Sequence, residues 1–534
     1  MANCSQSIIN RSLIPGAIAS GLLILIAVSA CGALLLFSPE LNFKAIIDDS
    51  YLWHVIRFTF WQAFLSAIFS VLPAILLARA LYRRRFWGRT LLLRLCAMTL
   101  VLPVLVAIFG ILSVYGSTGW LAQLSAYLGI DYQFSPYGLS GILLAHIFFN
   151  LPLAARMLLL ALESISTEQR QIAAQLGMSE WQQFRLVEWP YLRRQMLPTA
   201  ALIFMLCFAS FATVLALGGG PAATTIELAI YQALSYDFDL GQAALLALIQ
   251  IIFCLGLMLL SQKMNAAFSV GFSQQQQWNN PQDTLWRKIR DISVIIAAIL
   301  LLIPPLLAVI MAGLNRGLMD VLRQPALWQA LTTSVIIAVS AGILCVILTL
   351  MLLWSSRQLR INHALRLART IELSGLLILA MPGIVLATGF FILFNQTIGL
   401  PESPYGIVIL TNALIAIPYA LKVLEDPMRD LAARYNPLCQ SLGIQGINRL
   451  RLIEIKALKR PIGQALAFAC VISIGDFGVV ALFGNEDFRT LPYYLYQQIG
   501  AYRTNDGAVT AMLLLLLCFS LFSILERLPG KPHD

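Results

Sequence analysis

One stretch of this chain is written twice. Ile172-Ala173-Ala174-Gln175-Leu176-Gly177 returns, loosened, as Leu438-Cys439-Gln440-Ser441-Leu442-Gly443, an offset of 266 in 534 residues. Leu192-Arg193-Arg194 and Leu458-Lys459-Arg460 share that offset, as do Phe211-Ala212-Thr213-Val214 and Phe477-Gly478-Val479-Val480. Ser135-Pro136-Tyr137-Gly138 comes back as Ser403-Pro404-Tyr405-Gly406. Duplication on this scale restricts the fold to two like halves, each with a matching polar element set among apolar runs.

The solvent for those halves is lipid. Apolar residues make up 59% and charged residues 12%, against roughly 25% charged in soluble domains. A helix needs about 20 apolar residues to cross the hydrocarbon layer. Twelve segments meet that length: 14–37, 57–81, 91–114, 138–161, 196–217, 241–261, 292–313, 329–354, 371–397, 405–424, 462–484 and 506–527. The expected fold is therefore all-α, a polytopic membrane protein of about twelve spans in two fused six-helix repeats. The first run is longer than a signal-peptide core of roughly 7–15 residues, and we read it as a retained span.

Orientation follows the cationic loops. Arg83, Arg84, Arg85 and Arg89 follow span two, and Arg357, Arg360, Arg366 and Arg369 follow span eight. Loops 115–137, 218–240 and 398–404 contain neither Lys nor Arg. Short loops rich in these residues stay in the cytoplasm, which puts both termini and both copies of the repeated polar element there. The expected divisions are a first half at 1–261, a polar cytoplasmic linker at 262–291 and a second half at 292–534. Both halves enter the bilayer in the same direction. The net charge of +10 thus reflects membrane topology rather than a nucleic-acid surface.

Several chemistries leave no trace. The nine Cys form no C-x-x-C pair, and no Cys/His cluster suggests a metal. There is no G-x-x-x-x-G-K-[ST] loop, zinc-protease helix or nucleophile elbow. Gly218-Gly219-Gly220 has no Lys after it and reads as a turn. No catalytic, cofactor-binding or metal-binding residue is expected, and any ATP must be handled on a separate subunit.

The repeated element occupies 164–195 and 426–461, after the fourth span of each half. Ser166 with Gln169 offers a capping-box start, and Gly177 a left-handed stop. In the second copy Asn436 suits an N-cap, Pro437 the first helical position and Gly443 the stop. Two short helices on one side of the membrane are expected. Their pattern resembles the "EAA" loop of binding-protein-dependent ABC importer permeases. The matching positions are Gln171, Ala173, Ala174, Gly177, Phe184 and Pro190, then Leu438, Gly443 and Leu450. Gln171 stands where that family has an acid, and in the second copy little beyond Gly443 and a hydrophobe survives. Other stretches are similar to bacterial thiamine permeases: Leu81 to Phe86, Gly218 to Leu228, and Asp487 to Tyr493.

The resemblance implies a MetI-like permease fold. It also implies two copies of a cytoplasmic ATP-binding subunit seated on the paired loops, a periplasmic solute-binding protein, and a small cationic solute, thiamine or its phosphates. A ferric-iron or other small-solute ABC permease shares the same topology. An ATP-independent secondary transporter would not need the paired loops, and a membrane transferase should show paired carboxylates or His at a loop mouth.

Four residues are candidates for the solute path. His146 and Asn150 lie one turn apart, so they either stabilise helix packing or face the solute. Asp476 is an acid inside a span, where a charge costs about 2.5–3.5 kcal/mol and must face protein or water. Its repeat counterpart is Ser210. The outer loops carry Glu40, Asp48, Asp49, Asp131, Glu227, Asp237, Asp239, Asp320, Glu402, Glu486, Asp487 and Asp506. They form either a mouth that attracts cations or the remainder after Lys and Arg are excluded. Tyr493, Tyr494, Tyr496 and Tyr502 fit an interfacial aromatic belt, and cation–π contact with a thiazolium ring is the other reading.

Overall fold

The computed structural model describes residues 2–36, 49–99, 101–263, 283–397, 399, 403–444, 446–485 and 487–527. Glu40, Asp48, Glu402 and Glu486 of the expected acidic mouth lie outside them, as does most of the expected linker.

Among the described residues every regular element is helical, the form in which an apolar run can satisfy its own backbone in lipid. The first half runs α1 (Ala2–Leu36), α2 (Ser50–Arg83), α3 (Arg89–Met98), α4 (Val104–Tyr115), α5 (Trp120–Tyr127), α6 (Leu139–Glu163), α7 (Thr167–Gln175), α8 (Glu180–Gln183), α9 (Trp189–Phe208), α10 (Phe211–Leu217), α11 (Ile226–Ser235) and α12 (Leu240–Lys263). The second runs α13 (Leu285–Gly313), α14 (Leu318–Leu322), α15 (Pro325–Ile361), α16 (Leu365–Leu376), α17 (Gly383–Thr397), α18 (Tyr405–Ser441), α19 (Gly446–Arg449), α20 (Ile455–Gly475), α21 (Gly478–Phe483), α22 (Leu491–Gly500) and α23 (Thr504–Arg527). Helix α13 begins inside the stretch expected to be linker.

Ten described helices are long and apolar enough to cross a membrane. The expected span 196–217 is instead part of a bent pair, Glu180–Phe208 with Phe211–Leu217, at 57°. The expected span 371–397 is divided between α16, which carries Arg366, Arg369 and Glu372, and the short apolar α17. The expected span 91–114 is likewise split, its apolar part shifted to Val104–Tyr127. Proline is the physical reason in both cases. Pro103 and Pro382 lack an N–H and push the preceding residue out of the helical region, so α4 and α17 start just beyond them.

Contacts divide the chain into two compact units. Unit 1 holds Met1–Phe43, Ala229–Leu255 and Gly317–Asp534; unit 2 holds Lys44–Leu228 and Gly256–Arg316. These units cut across the two sequence halves, because α1 packs with the second half and α13 with the first. In unit 1, α1 lies against α15 and α17, and the Gly16 N–H donates to Ser355 Oγ at 2.8 Å. A Cβ on Gly389 of α17 would come within 2.9 Å of the Ala30 backbone oxygen on α1. In unit 2, α13 lies against α4 and α2, and a Cβ on Gly110 of α4 would meet the Pro305 carbonyl of α13 at 2.3 Å. Only glycine lets these backbones approach so closely, as at small-residue interfaces in lipid.

Candidate coupling surface and solute path

In unit 2 the first polar element has the expected cap and stop, but the capping box is only half formed, because Gln169 Oε1 accepts the Tyr191 hydroxyl at 3.1 Å instead of reaching back to Ser166. Ser166 Oγ accepts the Gln169 N–H at 3.4 Å and starts α7. Gly177 ends it at φ +65°, with Gly177 N–H on Ala174 O at 3.0 Å and Met178 N–H on Ala173 O at 3.1 Å. Such a stop satisfies carbonyls that the helix end leaves free. Ala173 is buried, whereas Gln171, Ile172 and Leu176 are exposed. Ile172 and Leu176, four residues apart, form one apolar stripe facing outward.

Nothing lies within 4 Å of a Cβ built on Gly177, so alanine there costs only backbone strain. That strain is about 1 kcal/mol for a left-handed residue. Gly177→Ala is expected to speed amide exchange at 173–178 roughly fivefold, with Gly177→Asn close to wild type. Equal protection in all three chains would remove the left-handed stop as the determinant of this helix end.

The second copy differs in how it starts. In unit 1, α18 runs unbroken from Tyr405 to Ser441 through Pro418, Pro427 and Pro437, so the expected separate short helix is absent. Asn436 is not an N-cap, because its Oδ1 accepts Arg449 Nη1 at 2.9 Å. The end nevertheless reproduces the first copy. Gly443 also has φ +65°, and Ile444 N–H reaches Cys439 O at 2.9 Å. Cys439 is buried, and Leu438 and Leu442 are exposed one turn apart. These are the 266-offset counterparts of Ala173, Ile172 and Leu176.

Beyond each glycine the chain makes a π-helical turn, Phe184–Glu188 and Leu450–Glu454, again offset by 266. Wide turns of this kind concentrate at functional sites. The glutamate that closes each turn is buried and bound by arginine. Arg79 Nε on α2 donates to Glu188 Oε2 at 2.7 Å, and Arg83 Nη2 to Oε1 at 3.4 Å. Arg170 Nη1 stands 3.7 Å from Glu188, with its guanidinium 4.0 Å from the Tyr82 ring centroid. Phe184, half-buried, lies beneath the Arg79 guanidinium at 4.4 Å, and Pro190 opens α9. In unit 1, Arg357 on α15 pairs with Glu454, which also accepts Arg449 Nε at 2.9 Å. Leu450 begins that turn, and both Arg357 and Glu454 are under 6% exposed. Sequence reasoning passed over these pairs, although Glu188 and Glu454 do sit at the repeat offset.

A second ionic cluster in unit 2 ties the start of α13 to the same element. Arg84 donates Nη2 to Asp283 Oδ1 and Nε to Asp291 Oδ2, both at 2.9 Å. Hydrogen bonding from Arg84 holds the Asp283 carboxyl below the usual range. Arg287 Nε lies 3.2 Å from Glu180 Oε2, and Arg290 pairs with the same carboxylate.

The four candidate path residues divide by unit. In unit 2, His146 Nδ1 bonds Ser66 Oγ at 2.8 Å, and Asn150 Nδ2 donates to Cys207 Sγ at 3.2 Å. Ser210 Oγ donates to Cys207 O at 2.8 Å, and Gln62 Nε2 to that same carbonyl at 2.8 Å. His146 and Asn150 are buried in helix packing. Asp476, in unit 1, occupies the break between α20 and α21. Among the loop acids, Asp49 caps α2 through the Tyr51 N–H, Asp239 accepts the Gln242 N–H, and Glu227 is buried. For Asp49 and Asp239, local structure accounts for the acid.

Residues 70–268 match the family described as "Binding-protein-dependent transport system inner membrane component". The chain is 66% identical over 531 residues to the thiamine transport system permease protein ThiP of Escherichia coli (strain K12), covering 99% of each. It is 44% identical over 513 residues to ThiP of Haemophilus influenzae, covering 96% of this chain and 95% of that protein. The sulfate transport system permease protein CysW of Synechococcus elongatus is 30% identical over 215 residues, 40% of this chain and 74% of its own length. The chain is a multi-pass membrane protein, and it belongs to the family of binding-protein-dependent transport-system permeases in which these proteins stand.

Proposed function

We propose that this chain is the translocation subunit of an ATP-driven importer for thiamine and its phosphates. The observation that carries the cargo is the 66% identity, end to end, with a permease named for thiamine. The drive is supported by the twin exposed stripes, Ile172 with Leu176 and Leu438 with Leu442. Each is an unpartnered apolar patch on a short helical end, which is how a helix is held in a groove. Two ATP-binding subunits would take one stripe each, and the second, altered element would dock as the first does. The chain itself makes no bond change and binds no cofactor; ATP belongs to the partner.

The basic loops support a reading with both termini and both stripes in the cytoplasm of a cell whose inner membrane holds the chain. Closure of the ATPases pushes the two stripes, and each Arg–Glu pair passes that push to its long helix, α2 or α15. The path then opens toward a periplasmic binding protein carrying solute, and ATPase separation returns it to the inside. On this path we place Asp476 of unit 1; His146, Asn150 and Ser210 hold helices together within unit 2.

Reconstitution in liposomes with the ATP-binding subunit and the loaded binding protein is expected to give ATP-dependent uptake of labelled thiamine. Uptake by the chain alone, or uptake driven by a proton gradient without ATP, overturns this reading in favour of a secondary transporter.

A further inference from the structure

The break at Asp476 leaves hydrogen-bond acceptors without donors. Its carboxylate takes the N–H groups of Gly478 and Val479 and lies beside the Asn412 amide, yet Oδ2 is buried with no partner. Asn412, 1% exposed on α18, spends its Nδ2 on Ser473 Oγ at 3.0 Å, and its Oδ1 is also buried without a donor. Two orphaned oxygens in a low-dielectric interior are costly unless something donates to them.

Aromatic rings follow directly. The Phe477 ring lies 6.4 Å from Tyr493, nearly stacked, and 5.0 Å from Tyr496. Within the same unit Tyr231 meets Tyr236 edge-on at 5.9 Å. The hydroxyls of Tyr236, Tyr493 and Tyr496 lie near that of Tyr231. Burial, and then those neighbouring hydroxyls, raise the Tyr231 phenol, so it stays neutral. Tyr231 on α11 and Tyr496 on α22 occupy matching places in the two repeats, an offset of 265. At an offset of 266, Asn412 and Asp476 correspond to His146 and Ser210 of unit 2. Ser66 holds His146 Nδ1 and the Cys207 carbonyl holds Ser210, and although His146 Nε2 is buried without a partner, neither counterpart is a carboxylate.

We infer that Asp476 and Asn412, together with the ring cluster of Phe477, Tyr231, Tyr236, Tyr493 and Tyr496, form a binding site in unit 1 for an aromatic cation bearing an N–H donor. The donor group satisfies Asp476 Oδ2 and Asn412 Oδ1, and the tyrosine faces hold the delocalised positive charge. The site rests on the reading that the cargo is a thiamine-like cation, and it assigns recognition to one repeat only.

The test uses the complete transporter in liposomes. Labelled thiamine competes with oxythiamine, in which oxygen replaces the pyrimidine amino group. The wild type is expected to prefer thiamine, and Asp476→Asn to lower thiamine kcat/KM at least tenfold and narrow that preference. Tyr496→Phe is expected to keep uptake within twofold and Tyr496→Leu to lose tenfold or more. This ring pair decides the matter if Asp476→Asn fails to insert. Wild-type uptake and selectivity in both Asp476→Asn and Tyr496→Leu overturn the site. A wild-type transporter that moves no thiamine overturns the underlying reading instead.

Discussion

Replacing Glu188 or Glu454 with glutamine is expected to destabilise the chain by about 3–5 kcal/mol, the cost of stranding a buried charge whose partner is gone. Glu188 faces Arg79, Arg83 and Arg170, and Glu454 faces Arg357 and Arg449. Glutamine keeps the shape but leaves several guanidiniums uncompensated. Melting of the purified chain, followed by tryptophan fluorescence, checks the magnitude. Replacing Arg357, Arg449 and Glu454 together with Met should recover most of the loss, because an apolar group of similar volume is close to neutral in such a place. Glu454→Gln should also uncouple the system, with ATP hydrolysed while uptake falls, since α15 no longer follows the loop. Melting within about 0.5 kcal/mol of wild type, an ordinary surface effect, would show that these glutamates are solvated and anchor nothing.

Placing a carboxylate on the exposed stripes tests the docking surface itself. Leu176 and Leu442 are 68% and 62% exposed, so Leu176→Asp and Leu442→Asp should leave folding intact. At an apolar contact the new charge loses its water without gaining a partner. Interface anchors are worth about 2 kcal/mol or more, so each change should weaken ATPase binding roughly thirtyfold. Each single variant should retain one ATPase subunit on co-purification and the double variant none. Two subunits retained on the double variant would place the docking surface elsewhere.

The sequence disclosed the helical class and most of its crossing segments because lipid leaves so few alternatives. The left-handed stops at Gly177 and Gly443 were equally legible, since few other residues adopt φ near +65° at low cost. What stayed hidden depends on contact rather than pattern. Asn436 and Pro437 look like a helix start, yet Arg449 occupies the Asn436 side chain and α18 runs through. Arg79 and Glu188 are 109 residues apart, and nothing local announces that they meet. His146 and Asn150 advertised polarity in a span, but only the positions of Ser66 and Cys207 reveal that packing uses it. Asn412 gave no signal alone, because an orphaned oxygen exists only once its neighbours are in place.

The placement of α1 and α13 bears on how the molecule is made. When the ribosome has released the first half, α1 is already inserted, but α15 and α17, whose surfaces cover it, have not been synthesised. Helices α2 and α4 wait in the same way for α13. Neither half can mature before its sibling, so co-expressed fragments divided within 264–282 should need to be born together, and quality-control proteases should clear whichever one is produced alone.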